Sequence, residues 1–457
     1  MLTVAAFVFA IGILVAVHEL GHFGVAIACR VKVLRFSIGF GPRLFGWTSS
    51  KTGTEFVVGM LPLGGYVKML DERESPVAPE ERARAFNVQS LRSRAAIVVA
   101  GPLANLLFAV ILYACVNWTG VEQAQAVLAK PAAGSVAAHV GWVGGEIIHR
   151  VGFDSDPLED VASFEDFRWW LTRGALAHRN IQVEFSGPHV GSHVGARQSV
   201  VLRLDSIDTH KADAQMFRNI GIMGPFSAAK LGELVVGGAA SQAGLQLGDH
   251  VLQVDQTPIV DAGQLRELIR VSGQSGSVGT QTWLVNRAGE FRTIAVSPSV
   301  EKDGDISIGR VGAYIGAPPA LVDVRYGVLD GAGRALTRTW EVSVLTLKMM
   351  GQILTGDASL KNLSGPLTIA DYAGKSVSMG LTQFFIFLAL ISISLGVLNL
   401  LPLPVLDGGH LMYYLWESVT GKPVPESWME RFQKAGLVVL LLLMSVAIFN
   451  DVTRLLG

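Results

Sequence analysis

Four long apolar stretches constrain the fold of this 457-residue chain more strongly than any other feature. A membrane-spanning helix needs about 20 apolar residues. Only 16% of the residues are charged, against about 25% in soluble domains. The stretches predict a polytopic α-helical membrane protein with about four transmembrane helices, expected at residues 1–29, 95–121, 380–415 and 433–453.

The remaining composition excludes several other classes of protein. The formal net charge is −1, so no basic surface indicates a nucleic-acid partner. Two cysteines are too few for a disulfide framework. The first apolar stretch has an alternative interpretation as a cleaved signal peptide, since Ala26–Cys29 resembles a lipoprotein cleavage box. It lacks a basic leader and carries three ionisable residues, which favours a retained transmembrane helix.

The distribution of basic residues predicts the topology. Residues 30–94 hold eleven Lys and Arg, and the positive-inside rule places such a loop in the cytoplasm. Segment 122–375 is then exported, and the loop 407–434 is again cytoplasmic. We therefore expect a multi-pass protein in the lipid bilayer of a bacterial inner membrane, with segment 122–375 in the periplasm.

Two consecutive β-rich modules are predicted in the exported segment, at 122–219 and 220–310. In the second module, glycines at Gly244 and Gly248-Asp249 precede an alternating strand and then an amphipathic helix. This pattern resembles a bacterial PDZ domain. The first module carries Gly145-Glu146 where the pattern has Gly-Asp, so it is a degenerate copy.

PDZ domains bind peptides by adding a strand to an exposed sheet edge. Peptide ligands are therefore expected partners, although for the first module peptide binding stays open. The alternative is that both modules are spacers that bind no peptide. Residues 311–379, which follow, are predicted to form an amphipathic region on the membrane surface.

The motif His18-Glu19-Leu20-Gly21-His22 carries the chemistry. Positions i and i+4 share one face of a helix, so His18 and His22 can bind one zinc ion through their imidazole nitrogens. Glu19 lies beside them as the catalytic base that takes a proton from water. Ionisable residues inside a transmembrane helix are costly and indicate a functional site. A buried polar cluster that only holds helices together is the alternative.

A catalytic zinc ion normally has a third protein ligand. Seven of the ten histidines lie in 139–250, on the wrong side of the membrane. We expect Asp407 to be the third ligand, because it is the carboxylate of the third apolar stretch that lies at the same membrane depth as the two histidines. Prolines and glycines around it predict a local break in the helix, which would let a short side chain reach the metal. His410 is the competing ligand.

Three motifs together resemble the site-2 protease family. They are the HEXXH motif, Gly101-Pro102-Leu103-Ala104-Asn105, and the segment from Asn399 to Asp407-Gly408-Gly409. The resemblance implies an intramembrane zinc metalloprotease with its active site toward the cytoplasm. It implies His18, His22 and Asp407 as ligands and Glu19 as the base. Its substrates would be a single-pass anti-sigma factor, already trimmed outside the membrane, and remnant signal peptides.

Asn105 and Asn399 are expected to position the substrate or to stabilise the oxyanion. Hydrogen bonding between helices is their alternative role. A strand-like segment, Glu55–Lys68, is predicted to form a β-hairpin that dips into the membrane and pairs with the extended substrate, with Gly59, Gly64 and Gly65 as its positioning residues. An ordinary cytoplasmic hairpin is the alternative.

Two further hypotheses concern the whole chain. The paired modules are expected to act as a size filter that admits a substrate only after its outer domain has been removed. A different function remains open for the chain, namely a PDZ-based membrane scaffold or chaperone with a structural metal site. A metal-coupled transporter is disfavoured, because no repeated halves are visible in the sequence.

Overall fold

The fold is taken from a computed structural model, which describes residues 2–187, 196–207, 213–274, 279–303, 306–355 and 365–456. The chain divides into two compact units. One consists of Met1–Val121 together with Arg325–Gly457, and we call it the membrane unit. The other is Glu122–Val324, and we call it the inserted unit. Each unit is described by itself.

The first part of the membrane unit contains two long helices with a β-sheet between them. In chain order the elements are α1 (Leu2–Ala28), β1 (Val33–Thr48), β2 (Glu55–Met69), a single 3₁₀ turn (Arg82–Arg84) and α2 (Leu91–Thr119). Helix α2 begins where Ser90 caps it, since the Ser90 hydroxyl accepts a hydrogen bond from the Ser93 amide.

The inserted unit consists of short strands and helices. In chain order these are β3 (Val121–Ala124), α3 (Val136–His139), β4 (Ile147–Phe153), β5 (Glu159–Asp160), α4 (Phe164–Ala177), β6 (Ile181–Ser186), β7 (Arg197–Leu202), α5 (Asp213–Ile220), β8 (Leu231–Leu234), α6 (Ala239–Gln242), β9 (His250–Val254), β10 (Thr257–Pro258), α7 (Ala262–Ser272), β11 (Gln281–Arg287), β12 (Glu290–Val296), β13 (Ser299–Asp303), β14 (Ile306–Arg310), β15 (Ala313–Ile315) and β16 (Leu321–Val324).

The second part of the membrane unit is helical. Its elements are α8 (Val328–Thr355), α9 (Pro366–Ser378), α10 (Leu381–Asn399), α11 (Asp407–Thr420) and α12 (Glu426–Leu456). Among the described residues, four helices are long and apolar enough to cross a membrane, at Leu2–Ala28, Leu91–Thr119, Leu381–Asn399 and Ser427–Thr453. The chain is therefore a polytopic membrane protein with β-rich regions.

The third apolar stretch is shorter as a helix than the segment 380–415 expected from hydropathy. Helix α10 ends at Asn399, and α11 begins only at Asp407. Pro402 and Pro404 lie in the gap, and proline cannot continue a helix because it has no backbone N–H. The break therefore places Asp407 in the first turn of a separate helix.

Small residues allow the spanning helices to pack closely. A Cβ atom on Gly21 would lie 2.3 Å from the Ala100 carbonyl oxygen, so only glycine fits where α1 crosses α2. A Cβ atom on Gly396 would lie 2.9 Å from the Pro102 carbonyl oxygen, where α10 meets α2. Close backbone approach at small residues is how helices associate where no hydrophobic effect drives them together. Helix α2 thus lies between α1 and α10.

The two long strands β1 and β2 fold into a sheet of four segments. Residues 33–38 pair with 65–69 on one side and with 55–58 on the other, and residues 43–48 pair with 55–59. The bend in β1 contains Gly39, whose φ of 90° is a left-handed conformation. The spatial order is therefore 65–69, 33–38, 55–58 and 43–48, which leaves 65–69 and 43–48 as the edges.

The hairpin expected within Glu55–Lys68 is therefore wrong in its pairing. The two halves of that segment do not pair with each other, because each pairs with β1. The sequence of β1 supplies the missing strands, and its residues 33–38 form an inner strand of the sheet. The local pattern of Glu55–Lys68 does not show that its partner strands lie outside the segment.

The inserted unit contains two four-stranded sheets of the same strand order. The first runs β5-β4-β6-β7 and the second β10-β9-β11-β12. Each sheet has its own apolar core, with Phe167 and Ile181 fully buried in the first and Leu265 and Trp283 in the second. The repeat agrees with two consecutive β-rich modules, while their assignment as PDZ domains stays a prediction.

A buried acidic residue stabilises the turn before the central strand of each module. Glu146 accepts hydrogen bonds from the amides of Val143 and Gly144, so glutamate closes the turn in the degenerate copy. Asp249 accepts from the Gln246 amide and from Arg287. Burial raises the pKa of the Asp249 carboxyl, but these hydrogen bonds outweigh it and hold the pKa below its usual range.

Two strands beyond residue 310, where the second module was expected to end, also belong to the inserted unit. Strand β15 pairs with β8, and β16 pairs with β3, where the chain enters the unit. The region 311–379, expected to be amphipathic and to lie on the membrane surface, contains α8 and α9 after these strands, and its placement on the membrane surface stays a prediction. Helix α8 has an apolar exposed face. Its outward face exposes Leu336 and Trp340, while Ala335 and Thr339 are buried. Residues 356–364 of this predicted region lie outside the described residues.

Candidate metal centre

Two histidines lie one helical turn apart on α1 and face the same side. The Nε2 atoms of His18 and His22 are 3.2 Å apart. The Nδ1 atom of His22 lies 2.8 Å from the Ile97 carbonyl oxygen of α2. Because a carbonyl can only accept, the proton is on Nδ1 of His22, and its Nε2 carries a free lone pair.

Asp407 completes a cluster of three potential ligands. Its Oδ2 atom lies 3.2 Å from His18 Nε2 and 3.5 Å from His22 Nε2. In a tetrahedral zinc site with bonds of about 2.0–2.1 Å, neighbouring ligand atoms are about 3.3 Å apart. The three distances fit that spacing. Oδ2 is also buried without a hydrogen-bond partner among the described residues, so the site leaves a lone pair to be satisfied by a cation.

The break after α10 brings Asp407 to the histidines. In the turn that follows, a Cβ atom on Gly408 would lie 2.1 Å from the Leu401 carbonyl oxygen. A Cβ atom on Gly409 would lie 2.4 Å from the Leu403 carbonyl oxygen. Only glycine allows α11 to start so close to the preceding backbone. The Asp-Gly-Gly sequence is thus the local cause of the carboxylate's position.

Glu19 lies beside the cluster with its carboxylate free. The residue is only 7% exposed. Within the described ranges, its side chain makes no hydrogen bond or ion pair. The sheet lies close to it, because a Cβ atom on Gly65 would be 3.0 Å from Glu19 Cγ and 2.7 Å from Val15 Cγ1. A carboxylate with no partner, next to three converging ligands, is available to accept a proton.

Gly101 makes room for both imidazole rings. A Cβ atom at this position would lie 2.3 Å from His22 Nε2 and 2.9 Å from His18 Cε1. In the sequence Gly101 belongs to a motif, but the motif does not predict this contact. The signal available in the sequence was a Gly-Pro pair inside an otherwise apolar helix, which marks a place of close approach.

The two predicted polar positioning residues lie in different environments. Asn105 is fully buried, and its Nδ2 atom lies 3.2 Å from His18 Nδ1. Asn399 is the half-buried last residue of α10, and its side chain makes no hydrogen bond to any residue that the structure describes. The structure therefore brings Asn105, but not Asn399, to the histidines.

His410 does not join the cluster. The group of potential ligands in the described residues consists of His18, His22 and Asp407. The His410 ring instead lies edge-on to Tyr413, with ring centroids 6.0 Å apart.

The three predicted glycines of the sheet serve its shape in different ways. A Cβ atom on Gly59 would lie 2.7 Å from the Phe40 carbonyl oxygen, so glycine lets two strand segments approach there. Gly64 has a φ of 99°, which favours glycine. Gly65 begins the edge segment 65–69 beside Glu19. Of the three, Gly65 is the one next to the candidate metal centre.

Four apolar helices, with the HEXXH motif on one of them facing a carboxylate at the start of α11, define a class of protein, the membrane-embedded metallopeptidases. The chain belongs to peptidase family M50, the site-2 protease family, whose model matches residues 6–443. A Ralstonia nicotianae protein named as a candidate zinc metalloprotease is 40% identical, over 100% of this chain and 99% of its own.

Two further relatives are also similar over nearly the whole of both chains. The regulator of sigma-E protease RseP of Escherichia coli K12 is 38% identical, over 99% of this chain and 98% of its own. The protease RseP of Yersinia pestis is 37% identical, over 99% of both chains. The similarity therefore covers the membrane unit and the inserted unit alike.

Proposed function

We propose that this chain is an intramembrane zinc endopeptidase that hydrolyses a peptide bond in the transmembrane segment of a single-spanning protein. The observation that carries the proposal is the convergence of His18, His22 and Asp407 beside the unpartnered Glu19. Two imidazoles and one carboxylate are a ligand set of catalytic zinc sites, which keep a fourth position open.

The chemistry divides between the metal and Glu19. When bound, zinc supplies Lewis acidity, which polarises a carbonyl group and makes water acidic near neutral pH. Glu19 is the general base. Its carboxylate accepts the proton of the attacking water and then delivers it to the nitrogen of the leaving amine, so the proton balance closes within the site.

The sheet edge 65–69 is proposed to hold the substrate in an extended form. A peptide bond inside a helix is shielded, because its backbone groups are already hydrogen-bonded. Gly65 starts this edge next to Glu19, and no strand in the described part of the chain pairs with its outer side. Substrate would add there as a fifth strand.

The proposed substrates follow from the family resemblance. Relatives named RseP, the regulator of sigma-E protease, support an anti-sigma factor whose outer domain another protease has already removed. Its cleavage would release a cytoplasmic fragment and start an envelope stress response. Remnant signal peptides form a second substrate class. The alternative of a PDZ-based scaffold with a structural metal predicts no hydrolysis.

The proposed location is the bacterial inner membrane, with the metal centre toward the cytoplasm. The basic loop 30–94 supports this orientation. The inserted unit would then be periplasmic, and its two modules would be PDZ domains that exclude substrates with an intact outer domain.

The replacement Glu19→Gln tests the proposal. It keeps the size of the side chain and removes the base, so we expect unchanged zinc content and a loss of cleavage of at least about 100-fold, within the range that general-base catalysis contributes. Zinc would be measured in purified protein by mass spectrometry. Cleavage would be measured on a model transmembrane peptide in detergent.

Two further variants separate the possible outcomes. His22→Ala should lose both zinc and cleavage, because it removes a ligand. If native protein and Glu19→Gln both bind zinc and neither cleaves a panel of helix-destabilised peptides, the metal is structural and the scaffold function is favoured. If the native protein binds no zinc, the ligand assignment fails.

A further inference from the structure

We infer that Asn105 is a positioning residue that fixes the tautomer of His18. In this assignment the Asn105 side-chain oxygen accepts a hydrogen bond from Nδ1–H of His18, which leaves Nε2 with a free lone pair facing Asp407. The inference rests on the proposed function, because it matters for zinc binding through Nε2. It gives Asn105 a role toward the histidine instead of toward the substrate.

His22 provides the comparison. Its Nδ1 atom donates to the Ile97 carbonyl oxygen at 2.8 Å, so a backbone group fixes its tautomer. Histidines that bind metals commonly donate their other N–H to a carbonyl or carboxylate oxygen, which orients the ring. His18 needs an equivalent acceptor, and Asn105 is the polar side chain in contact with its Nδ1 atom.

The proposed binding of zinc through His18 Nε2 decides the orientation of the amide. If Asn105 Nδ2 donated to Nδ1, the His18 proton would be on Nε2, 3.2 Å from Asp407 Oδ2. Zinc binding through Nε2 needs a lone pair on that atom, and Asn105 Oδ1 is buried without a hydrogen-bond partner among the described residues. Turning the carboxamide by 180° changes no packing, since its two ends have the same shape. It gives Oδ1 the Nδ1–H donor.

Asn105 is held firmly enough for this role. Its side chain is fully buried between the helices. The hydroxyl of the fully buried Ser392 on α10 donates to the Asn105 carbonyl oxygen at 2.7 Å. The residue is thus fixed from α10 while its side chain reaches α1. Its position would transmit any shift of α2 directly to the His18 ring.

Two substitutions with opposite hydrogen-bonding properties test the inference. Asn105→Leu has a similar size and no acceptor, and we expect zinc affinity to fall about 10- to 100-fold. Asn105→Asp can only accept when ionised, and we expect zinc affinity within a few-fold of native. The control is Asn117→Leu on the same helix, which removes a 2.8 Å hydrogen bond to Gly331 far along the sequence from the histidines. Zinc affinity would be measured by chelator competition in full-length protein.

Two results for the Asn105 variants would overturn the inference. If Asn105→Asp loses as much affinity as Asn105→Leu while remaining folded, then Asn105 donates to His18 and the inference is overturned. Equal affinity for native protein and Asn105→Leu also overturns it.

A second measurement avoids the risk that the aspartate variant does not fold. In native protein stripped of zinc, ¹⁵N NMR of the His18 ring identifies the protonated nitrogen. We expect the proton on Nδ1, and a proton on Nε2 would refute the inference. Failure of the proposed function would look different, because native protein would then bind no zinc, or bind zinc and cleave no peptide, whatever the His18 tautomer.

Discussion

The positions of the proposed catalytic side chains depend on neighbouring glycines, which leave space for them, as much as on direct contacts. Gly101 leaves the space that both histidine rings occupy, and Gly65 leaves the space in which β2 meets Glu19. A methyl group added at either glycine would clash with a proposed ligand or with the base and would displace it.

Gly101→Ala should therefore inactivate the protein without unfolding it. The new Cβ atom would lie 2.3 Å from His22 Nε2, so the ring must move. A displacement of about 1 Å costs about 100-fold in rate, and zinc affinity should fall as well. Cleavage of a model peptide and zinc content would be measured together.

Gly24→Ala is the matched control, because a methyl group at this position would have no other atom within 4 Å. We expect this variant to retain native zinc content and native cleavage. Full activity of Gly101→Ala would show that the histidines do not hold the catalytic metal in this arrangement.

The HEXXH motif and Asp407 could be selected from the sequence because residue type, helical spacing and depth all restrict the choice. The contact of Asn105 with His18, and that of Gly101 with both rings, could not be predicted in the same way. They depend on how α2 is rotated about its axis. A helix that is apolar all round has no periodic pattern from which that rotation can be inferred.

At the scale of elements, α11 is the critical helix because it carries Asp407 at its first position. Near its other end, Glu417 forms a bidentate ion pair with Arg94 of α2, with distances of 2.6 and 3.1 Å. The Arg94 guanidinium also lies over the ring of Tyr414. Both contacts attach α11 to the helix that carries Gly101 and Asn105.

Glu417→Gln should weaken cleavage by about 10-fold, which corresponds to about 1.4 kcal/mol. The paired side chains are partly exposed, so the loss is expected at the lower end for charged hydrogen bonds. The measurement is the cleavage rate and the zinc affinity of each single variant and of the charge-swapped pair Arg94→Glu with Glu417→Arg. Recovery in the pair supports a role of the contact in placing α11, and the absence of any coupling would contradict it.

The sheet leads to a second prediction at this scale. Leu70 N–H donates to the Lys32 carbonyl oxygen, toward the inside of the sheet. Because N–H groups alternate in direction along a strand, that of Val67 points outward from the edge 65–69. Val67→Pro removes this donor and should abolish cleavage while zinc remains bound.

Phe45→Pro on the opposite edge is the control for this substitution, and it should cleave at a rate closer to that of native protein. Peptide cleavage and zinc content would again be compared. Equal effects of the two prolines would indicate that the edge 65–69 has no special role in holding substrate.

The architecture of the sheet was only partly predictable. The strand character of Glu55–Lys68 was visible in its alternating residues, and β2 includes it. The pairing was not visible, because residues 35–38 bond to both halves of β2. The local pattern of the sequence does not show that one short segment pairs with two strand segments.

For the whole molecule, hydropathy was sufficient to predict four spans and a large insertion, because burial in lipid restricts composition over about 20 residues at a time. The repeated strand order inside the insertion was indicated by two similar glycine turns. The boundary at residue 310 was less well placed, since β15 and β16 return to pair with β8 and β3. Such long-range pairing is not encoded in local composition.

Removal of residues 123–323 tests the proposed size filter. We expect the shortened protein to bind zinc and to cleave both trimmed and untrimmed substrates, whereas native protein cleaves only the trimmed form. The ratio of the two cleavage rates would be measured with purified components. Introducing Glu19→Gln into the shortened protein controls for contaminating proteases, and a shortened protein that still rejects untrimmed substrate would contradict the filter.

The two parts of the membrane unit are in contact at the point where the chain leaves for the insertion and returns from it. Tyr326 N–H donates to the Asn117 carbonyl oxygen at 2.9 Å, and Arg325 Nε donates to the Trp118 carbonyl oxygen at 2.8 Å. Chain exit and chain return are therefore neighbours in space. A gene could therefore gain, lose or exchange the coding sequence for the insertion in one recombination event. The helices that carry the histidines and the aspartate would keep their arrangement.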